Sequence, residues 1–298
     1  RFTPDGFVTS QIFTRNPAEE RAQLELLDRM LAGVTAIVTY NGKSFDIPIL
    51  KTRYILNGLP SPLNELVHFD LLPLSRRLWR RRLENRSLKD IESEILSYTR
   101  SQMEVPGWEI PVLYFNYLRT GDPSPLAGVF YHNAIDIQSL AALFLYMNQM
   151  AQDLENPSKI LPIDTFSMAI QLESTGEIEK AVGLYEQLLS VELPEGYVAE
   201  LKLRYSRILK RNGDFTHAAH VLHNNQELTD IRVIIQLAKV MEHQHKDIKS
   251  ALEWTEKAII QLDASSTSFS ENIFFQQRND LMKRKNRLLQ KLENTSTL

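Results

Sequence analysis

The hydrophobic pattern in the first half of the chain alternates between strand-like and helix-like segments. Residues Phe7–Thr14 alternate apolar and polar side chains, which predicts a strand. A helix is predicted over Pro17–Leu31, because a proline and acidic residues at its start favour a first helical turn. The apolar, β-branched segment Val34–Thr39 predicts a buried strand, and the amphipathic segment after it predicts a helix ending near Asn57.

The same half continues with one short strand and several helices. His68–Asp70 predicts the strand, and spaced leucines from Leu71 to Leu83 mark one face of the helix that follows. Ser87 is placed to cap the next helix. Further helices are predicted over Val112–Leu118 and from about Pro125 to Asp153. Residues 1–153 are therefore predicted to form an α/β domain.

The second half of the chain has a helical pattern almost throughout. The proline-bounded stretch 154–163 predicts a linker, so residues 164–298 form the second predicted domain. Alanines recur at Ala181, Ala218 and Ala251, which are 37 and 33 residues apart. Helix pairs with a period of about 34 residues and a small residue in the second helix are typical of tetratricopeptide repeats. This half is predicted to be an all-α, tetratricopeptide-like domain with a closing helix, whose concave surface suits a protein partner.

Composition narrows the classes of function. The net charge is −3, so the whole chain gives no electrostatic argument for nucleic acid. There is no cysteine, which excludes disulfides and thiolate zinc sites. No apolar run approaches the roughly 18 residues of a membrane span, so we expect no membrane association and a cytoplasmic location.

Two carboxylates occupy positions suited to metal-dependent hydrolysis. Asp46 follows the strand Val34–Thr39 and a short turn, at the start of a predicted helix. Asp136 lies in the last helix of the first half, four residues after His132. Carboxylates are the ligands that Mg²⁺ prefers, and a neutral histidine accepts a proton near pH 7. Simple helix capping is the alternative role for Asp46, and a surface position is the alternative for His132.

The motifs around these residues resemble those of known nucleases. Asn41-Gly42-Lys43-Ser44-Phe45-Asp46 and His132-Asn133-Ala134-Ile135-Asp136 resemble motifs II and III of the DEDD (DnaQ-like) 3′–5′ exonucleases. With the segments 68–72, 87–92 and 105–111 in the same order, they resemble the YprB-type ribonuclease H-like group of predicted exonucleases. The resemblance covers roughly residues 1–150, and several members of that group carry a tetratricopeptide-like tail.

The resemblance implies a fold, an activity and a set of site residues. It implies an α/β ribonuclease H-like domain with a mixed sheet, and 3′–5′ hydrolysis of a single-stranded DNA or RNA end with two Mg²⁺ or Mn²⁺ ions. Asp46 and Asp136 are then metal ligands and, with His132, catalytic residues. The substrate contacts it implies are made by Asn41, Gly42, Phe45, Tyr131 and Asn133.

Several of these roles have alternatives. Histidine-type relatives place the base five residues before the aspartate, which is Tyr131 here, whereas tyrosine-type relatives place it four before, at His132. We favour His132 because its neutral form accepts a proton near pH 7. Asn41 either contacts substrate or only fixes the turn. Asp70 is expected to be structural.

An arginine-rich segment after the predicted strand His68–Asp70 adds a weaker candidate site. Arg76 and Arg80 belong to it, and they suit contacts with a phosphate backbone. A solvated helix face is the alternative.

The motif I pair, Asp-x-Glu on a first strand, does not precede these motifs in the sequence. The resembled sheet has the strand order 3-2-1-4-5, in which Phe7–Thr14 is strand 3 and Val34–Thr39 is strand 4. We therefore expect this chain to be an N-terminally truncated piece of a longer protein, with little or no hydrolytic activity alone. The alternative function is a catalytically degenerate scaffold that binds nucleic acid or protein.

Overall fold

The computed structural model describes residues 1–100, 105–223, 229–264 and 271–296. The chain divides into two compact units, Arg1–Ser167 and Met168–Leu298. The division falls inside a helix, a few residues after the predicted linker 154–163. Two short 3₁₀ helices, Asp153–Glu155 and Pro157–Lys159, overlap that linker. The sequence-based domain boundaries stay a prediction.

The strands of the first unit form two separate pairs within the described residues. β1 (Phe2–Thr3) and β2 (Gly6–Phe7) form a short antiparallel hairpin. β3 (Ala36–Thr39) and β4 (Val67–Asp70) run parallel, with Thr39 opposite Asp70. Since the two strands end side by side, the loops that follow them lie at one edge.

The helices of the first unit follow the sequence pattern closely. They are α1 (Glu20–Leu31), α2 (Asp46–Leu56), α3 (Leu71–Leu78), α4 (Leu88–Glu94), α5 (Ile110–Thr120) and α6 (Ala127–Gln152). The predicted cap of α4 is confirmed, because the side chains of Ser87 and Asp90 form a reciprocal capping box. The long helix α6 packs against both β3 and α4. It therefore links the parallel strand pair to the capped helix.

A small core supports the parallel strands from one side. Leu24 of α1, Tyr54 of α2 and Leu63 are buried together. The Tyr54 hydroxyl donates a hydrogen bond to Asp28 Oδ1 over 2.6 Å, and burial together with this carboxylate raises the pKa of the phenol. These contacts fix α2, whose first residue is Asp46, relative to α1.

The predicted strand Phe7–Thr14 is wrong. Only Phe7 lies in a strand, and the residues after it have no strand partner among the described residues. The alternation has another cause: the Phe13 ring packs 5.2 Å from Tyr117 and 5.0 Å from Phe130. Alternation of apolar and polar side chains indicates only that one side of an extended segment is covered. Here helices α5 and α6 cover the apolar side, instead of a neighbouring strand. The expected single mixed sheet is accordingly replaced by two small sheets.

The other strand and helix predictions differ from the structure mainly at their ends. The strand expected over Val34–Thr39 begins at Ala36. The leucine pattern that runs to Leu83 outlasts its helix, because α3 ends at Leu78. Leu83 is still buried, and its amide donates a hydrogen bond to the Trp79 carbonyl in a turn after the helix.

The described residues of the second unit form helices joined by turns and loops. Helix α7 (Pro162–Thr175) crosses the boundary between the units and is followed by α8 (Ile178–Leu188), α9 (Glu195–Arg211), α10 (Phe215–His223), α11 (Ile231–Val240), α12 (Ile248–Ala264) and α13 (Glu271–Ser296). The recurring residues Ala181, Ala218 and Ala251 lie on α8, α10 and α12 and are fully buried. Small side chains there let neighbouring helices approach closely. The tetratricopeptide assignment itself stays a prediction.

A buried acid anchors the last helix of this unit. α11 continues into one turn of π-helix, Met241–His245, which carries the buried Glu242. The Glu242 carboxylate forms ion pairs with Arg284, Arg287 and Lys291 of α13, at 2.6 to 2.8 Å. Although burial acts in the opposite direction, the hydrogen bond from Lys291 and the arginine charges hold the pKa of Glu242 below its usual range.

Across the described part of the chain, no helix has the length and apolarity needed to cross a membrane.

Candidate active site

The turn after β3 is built around Asp70. Its Oδ1 accepts hydrogen bonds from the amides of Asn41 (2.7 Å) and Leu72 (3.2 Å), and its Oδ2 accepts one from the Lys43 amide (3.0 Å). One carboxylate thus holds the turn and caps α3. Asn41 has a φ of 68°, a conformation that asparagine tolerates better than most residues. The structural role expected for Asp70 is confirmed.

Gly42 is required by a close approach within the same turn. A Cβ added at Gly42 would lie 2.5 Å from the Cβ of Thr39. The Thr39 hydroxyl is itself fixed by a 2.8 Å hydrogen bond to His68 Nε2 on β4. Burial and the nearby charge of Lys43 lower the pKa of His68. These contacts leave room for hydrogen alone at position 42.

Asp46 is the first residue of α2 and its side chain is exposed. The carboxylate makes no ion pair within the described part of the chain, and a negative charge at a helix N-terminus is favourable. Phe45, just before it, is 62% exposed. Both side chains are therefore open to a ligand.

Asp136 and His132 lie one turn apart on α6. His132 Nε2 is 3.3 Å from Asp136 Oδ2. Both side chains are about one-third exposed, at 29% and 34%. The two residues are therefore held together and reach solvent on one side.

Arg100 joins this pair to a buried acid. Its guanidinium donates hydrogen bonds to Asp136 Oδ1 (2.5 Å) and His132 Nδ1 (2.9 Å). It also makes a bidentate ion pair with Glu92 of α4, and Glu92 is only 1% exposed. The bonds to Glu92, and then those to Asp136, raise the pKa of Arg100. One cation thus serves two carboxylates and a histidine.

The tautomer of His132 follows from these contacts. An arginine has no acceptor, so the Nδ1 that faces Arg100 carries no proton. The proton of the neutral ring then resides on Nε2 and points toward Asp136. Nδ1 is therefore the basic atom of His132, and Arg100 covers it.

The remaining predicted residues make separate contacts or lie at the surface. Tyr131 is hydrogen-bonded to Tyr98, and that bond is the main reason the pKa of Tyr98 is raised. The Asn133 side-chain oxygen accepts a 2.9 Å bond from Gln11. Arg76 lines a cavity of about 550 Å³ together with Asn41, whereas Arg80 is exposed just after α3.

The described residues do not present a complete metal centre. No group of three or more histidines and acids capable of holding an ion occurs among them. Both oxygens of Asp136 already face Arg100 or His132. Asp46 is the one predicted ligand with an unengaged carboxylate, and a divalent cation requires several oxygen ligands. In this arrangement the residues therefore do not fit the two-ion site implied by the motifs.

Sequence reasoning missed Arg100 and Glu92. Glu92 follows Ile91 on the apolar face of α4, and both are buried along with Ile95. A buried acid between two isoleucines needs a cationic partner, and that was the available signal. The partner, Arg100, lies eight residues later in an irregular segment, where no periodic sequence pattern indicates which residue is buried.

Comparisons with known proteins agree with the motifs. The family model of the RNase_H superfamily matches residues 3–148. The uncharacterized protein YprB of Bacillus subtilis (strain 168) is 31% identical over 258 residues, which cover 85% of this chain and 61% of that protein. The chain thus spans less than two-thirds of this relative's length. No solved structure matches the chain.

Proposed function

This chain is a ribonuclease H-like protein of the YprB type, and from that premise we propose that it serves in metal-dependent 3′–5′ exonuclease hydrolysis of nucleic acid. The family match favours a nuclease-type function, and direction, mechanism and substrate are the proposed part. The observation that carries the proposal is the pairing of His132 with Asp136 on one turn of α6. The substrate class is the single-stranded end of DNA or RNA.

In this proposal each residue has a defined task. His132 accepts a proton from the attacking water at Nδ1, while Asp136 fixes the ring through Nε2–H. Asp46 and Asp136 would hold Mg²⁺ or Mn²⁺ only together with further acids, and such an ion would supply positive charge that stabilises the phosphate. The exposed Phe45 ring suits stacking on a base. Asn41, Gly42, Tyr131 and Asn133 are the other proposed substrate contacts.

Arg100 must leave Asp136 and His132 before this chemistry begins. It covers both the proposed base and one oxygen of the proposed ligand. Further acids are also needed, since the described residues hold no three-donor group. For that reason we propose that the 298-residue chain by itself hydrolyses nucleic acid weakly or not at all.

The same observation favours a second candidate function. A guanidinium that occupies the proposed site neutralises it without an ion, as expected of a degenerate nuclease that binds nucleic acid or protein. In that case Arg100 is a permanent part of the fold.

The test assays the full-length product of the gene, whatever its length, beside the 298-residue chain. Each is mixed with 5′-labelled single-stranded DNA or RNA and Mn²⁺, and the products are separated by length. We expect stepwise shortening by the full-length product, lost in Asp46→Asn and Asp136→Asn but kept in the matched surface variant Asp5→Asn. If the full-length product binds the strands but never shortens them, the degenerate scaffold replaces the nuclease.

A further inference from the structure

The second unit contains a cavity lined by cations without acids. The cavity has a volume of about 280 Å³ and lies between helices α9 and α11. Its lining residues are Leu203, Arg207, Lys210, Arg232, Ile235 and Gln236. Three of these six carry a positive charge, and no carboxylate is among them.

The positive charges in this cavity are only partly compensated. Arg232 is paired with Asp230 at 2.7 Å. Lys210 donates its hydrogen bond to a neutral acceptor, Gln236 Oε1, at 3.0 Å. Arg207 is exposed, and neither it nor Lys210 forms an ion pair in the described ranges.

The cations are also close enough to repel one another. Burial, followed by the charges of Arg207 and Lys239, lowers the pKa of Lys210. An anion placed between these groups would relieve that repulsion. The cavity is therefore a locally positive site that suits an anionic ligand, although the net charge of the whole chain is −3.

The uncharged part of the lining distinguishes between anionic ligands. Leu203 and Ile235 are partly buried and pack against the hydrophobic core of the unit. No aromatic ring lines the cavity, so it lacks the stacking surfaces typical of single-stranded nucleic-acid sites. Aliphatic patches beside cations instead suit a peptide that alternates carboxylates with aliphatic side chains.

We propose that the cavity between α9 and α11 is a docking site for an acidic peptide segment of a protein partner. Carboxylates of the peptide pair with Arg207 and Lys210, and an aliphatic side chain packs on Leu203 and Ile235. The site lies wholly in the second unit, and it is independent of the proposed nuclease chemistry.

The test measures binding of a labelled peptide of alternating glutamate and leucine to the whole chain by fluorescence anisotropy. Arg207→Gln and Lys210→Gln are each expected to weaken binding by roughly tenfold or more, the loss expected for one charge-assisted contact. The matched control is Lys249→Gln, which removes an exposed cation from α12, a helix that does not line the cavity. Circular dichroism verifies that each variant is folded.

Two further probes decide the chemistry of the ligand. The same peptide with glutamine in place of glutamate is expected to lose binding, and oligothymidylate is expected to bind more weakly than the acidic peptide. The proposal is overturned if the acidic peptide does not bind or if Arg207→Gln and Lys210→Gln bind it as Lys249→Gln does. Tighter binding of oligothymidylate through the same two residues would reassign the cavity to nucleic acid.

Discussion

Arg100 donates a 2.5 Å hydrogen bond to Asp136, and the same guanidinium neutralises the buried Glu92. An irregular segment thereby connects α4 to the proposed catalytic helix α6. Arg100 and Glu92 are 7% and 1% exposed at their side chains, so water screens this pair poorly.

Removing the charge of Arg100 is expected to destabilise the first unit. In Arg100→Met the Glu92 carboxylate stays buried without a cation, which costs about 3–5 kcal/mol of unfolding free energy. Urea unfolding, monitored by hydrogen exchange in residues 1–100, measures this loss of unfolding free energy. The control is Arg15→Met, which breaks a surface pair with Glu19 and costs no more than about 1 kcal/mol. Equal stabilities of the two variants would contradict the buried-pair assignment.

A side chain at position 42 is expected to disturb the turn before Asp46. In Gly42→Ala the new Cβ meets the Thr39 side chain at 2.5 to 2.6 Å, so the backbone must shift. We expect a loss of about 1–3 kcal/mol, as for other overpacked positions. Gly107→Ala, where no atom lies within 4 Å of the added Cβ, provides the control in the same unit. Thermal unfolding that leaves both variants alike would show that the turn adapts at no cost.

Acid is expected to weaken the attachment of α13 through Glu242. Because the folded-state pKa of Glu242 is lowered, its stabilising effect is complete above the unfolded-state pKa of about 4.3. That effect is lost as the pH falls from there through the folded-state value. The stability difference between the natural chain and Glu242→Gln should therefore be largest at neutral pH and shrink on acidification. Thermal unfolding across this range measures it.

The matched control for that titration is Glu253→Gln, which replaces an exposed acid of α12 in the same unit. Its stability should follow that of the natural chain at every pH. A Glu242→Gln difference that stays constant down to strongly acidic pH would show that the charge of Glu242 is not the source of the attachment.

Replacing the proposed base is expected to slow hydrolysis by the full-length gene product. His132→Gln removes the acceptor at Nδ1 and should lower the turnover rate by roughly 10²–10⁴-fold, with little change in KM. Tyr131→Phe keeps the ring and is expected to have a small effect. Product-length assays with Mn²⁺ measure both, and a larger loss in Tyr131→Phe would assign the base to the tyrosine.

Local features of the sequence predicted much of the fold. The capping pattern at Ser87 and Asp90 needs only four consecutive residues, and the structure reproduces it. The parallel register that brings Thr39 opposite Asp70 depends on strands about thirty positions apart along the chain. The strand prediction for Phe7–Thr14 was wrong because it also depends on distant residues. Alternation of apolar and polar side chains does not indicate whether a strand or a helix covers the apolar side.

The candidate site was predicted in its motifs but not in its connections. The four-residue spacing of His132 and Asp136 fixes them on one helical face, which the sequence alone implies. The Arg100 bridge depends on how an irregular segment returns to α6, and no periodicity encodes that path.

The bridge also has an evolutionary consequence. If a descendant replaced Asp136 by a neutral residue, Arg100 and Glu92 would still form a balanced pair in the interior. Position 136 is therefore open to substitution at little structural cost, whereas positions 92 and 100 must change together. A lineage that gave up the carboxylate of Asp136 would keep its domain intact, and relatives with and without that acid can share one scaffold.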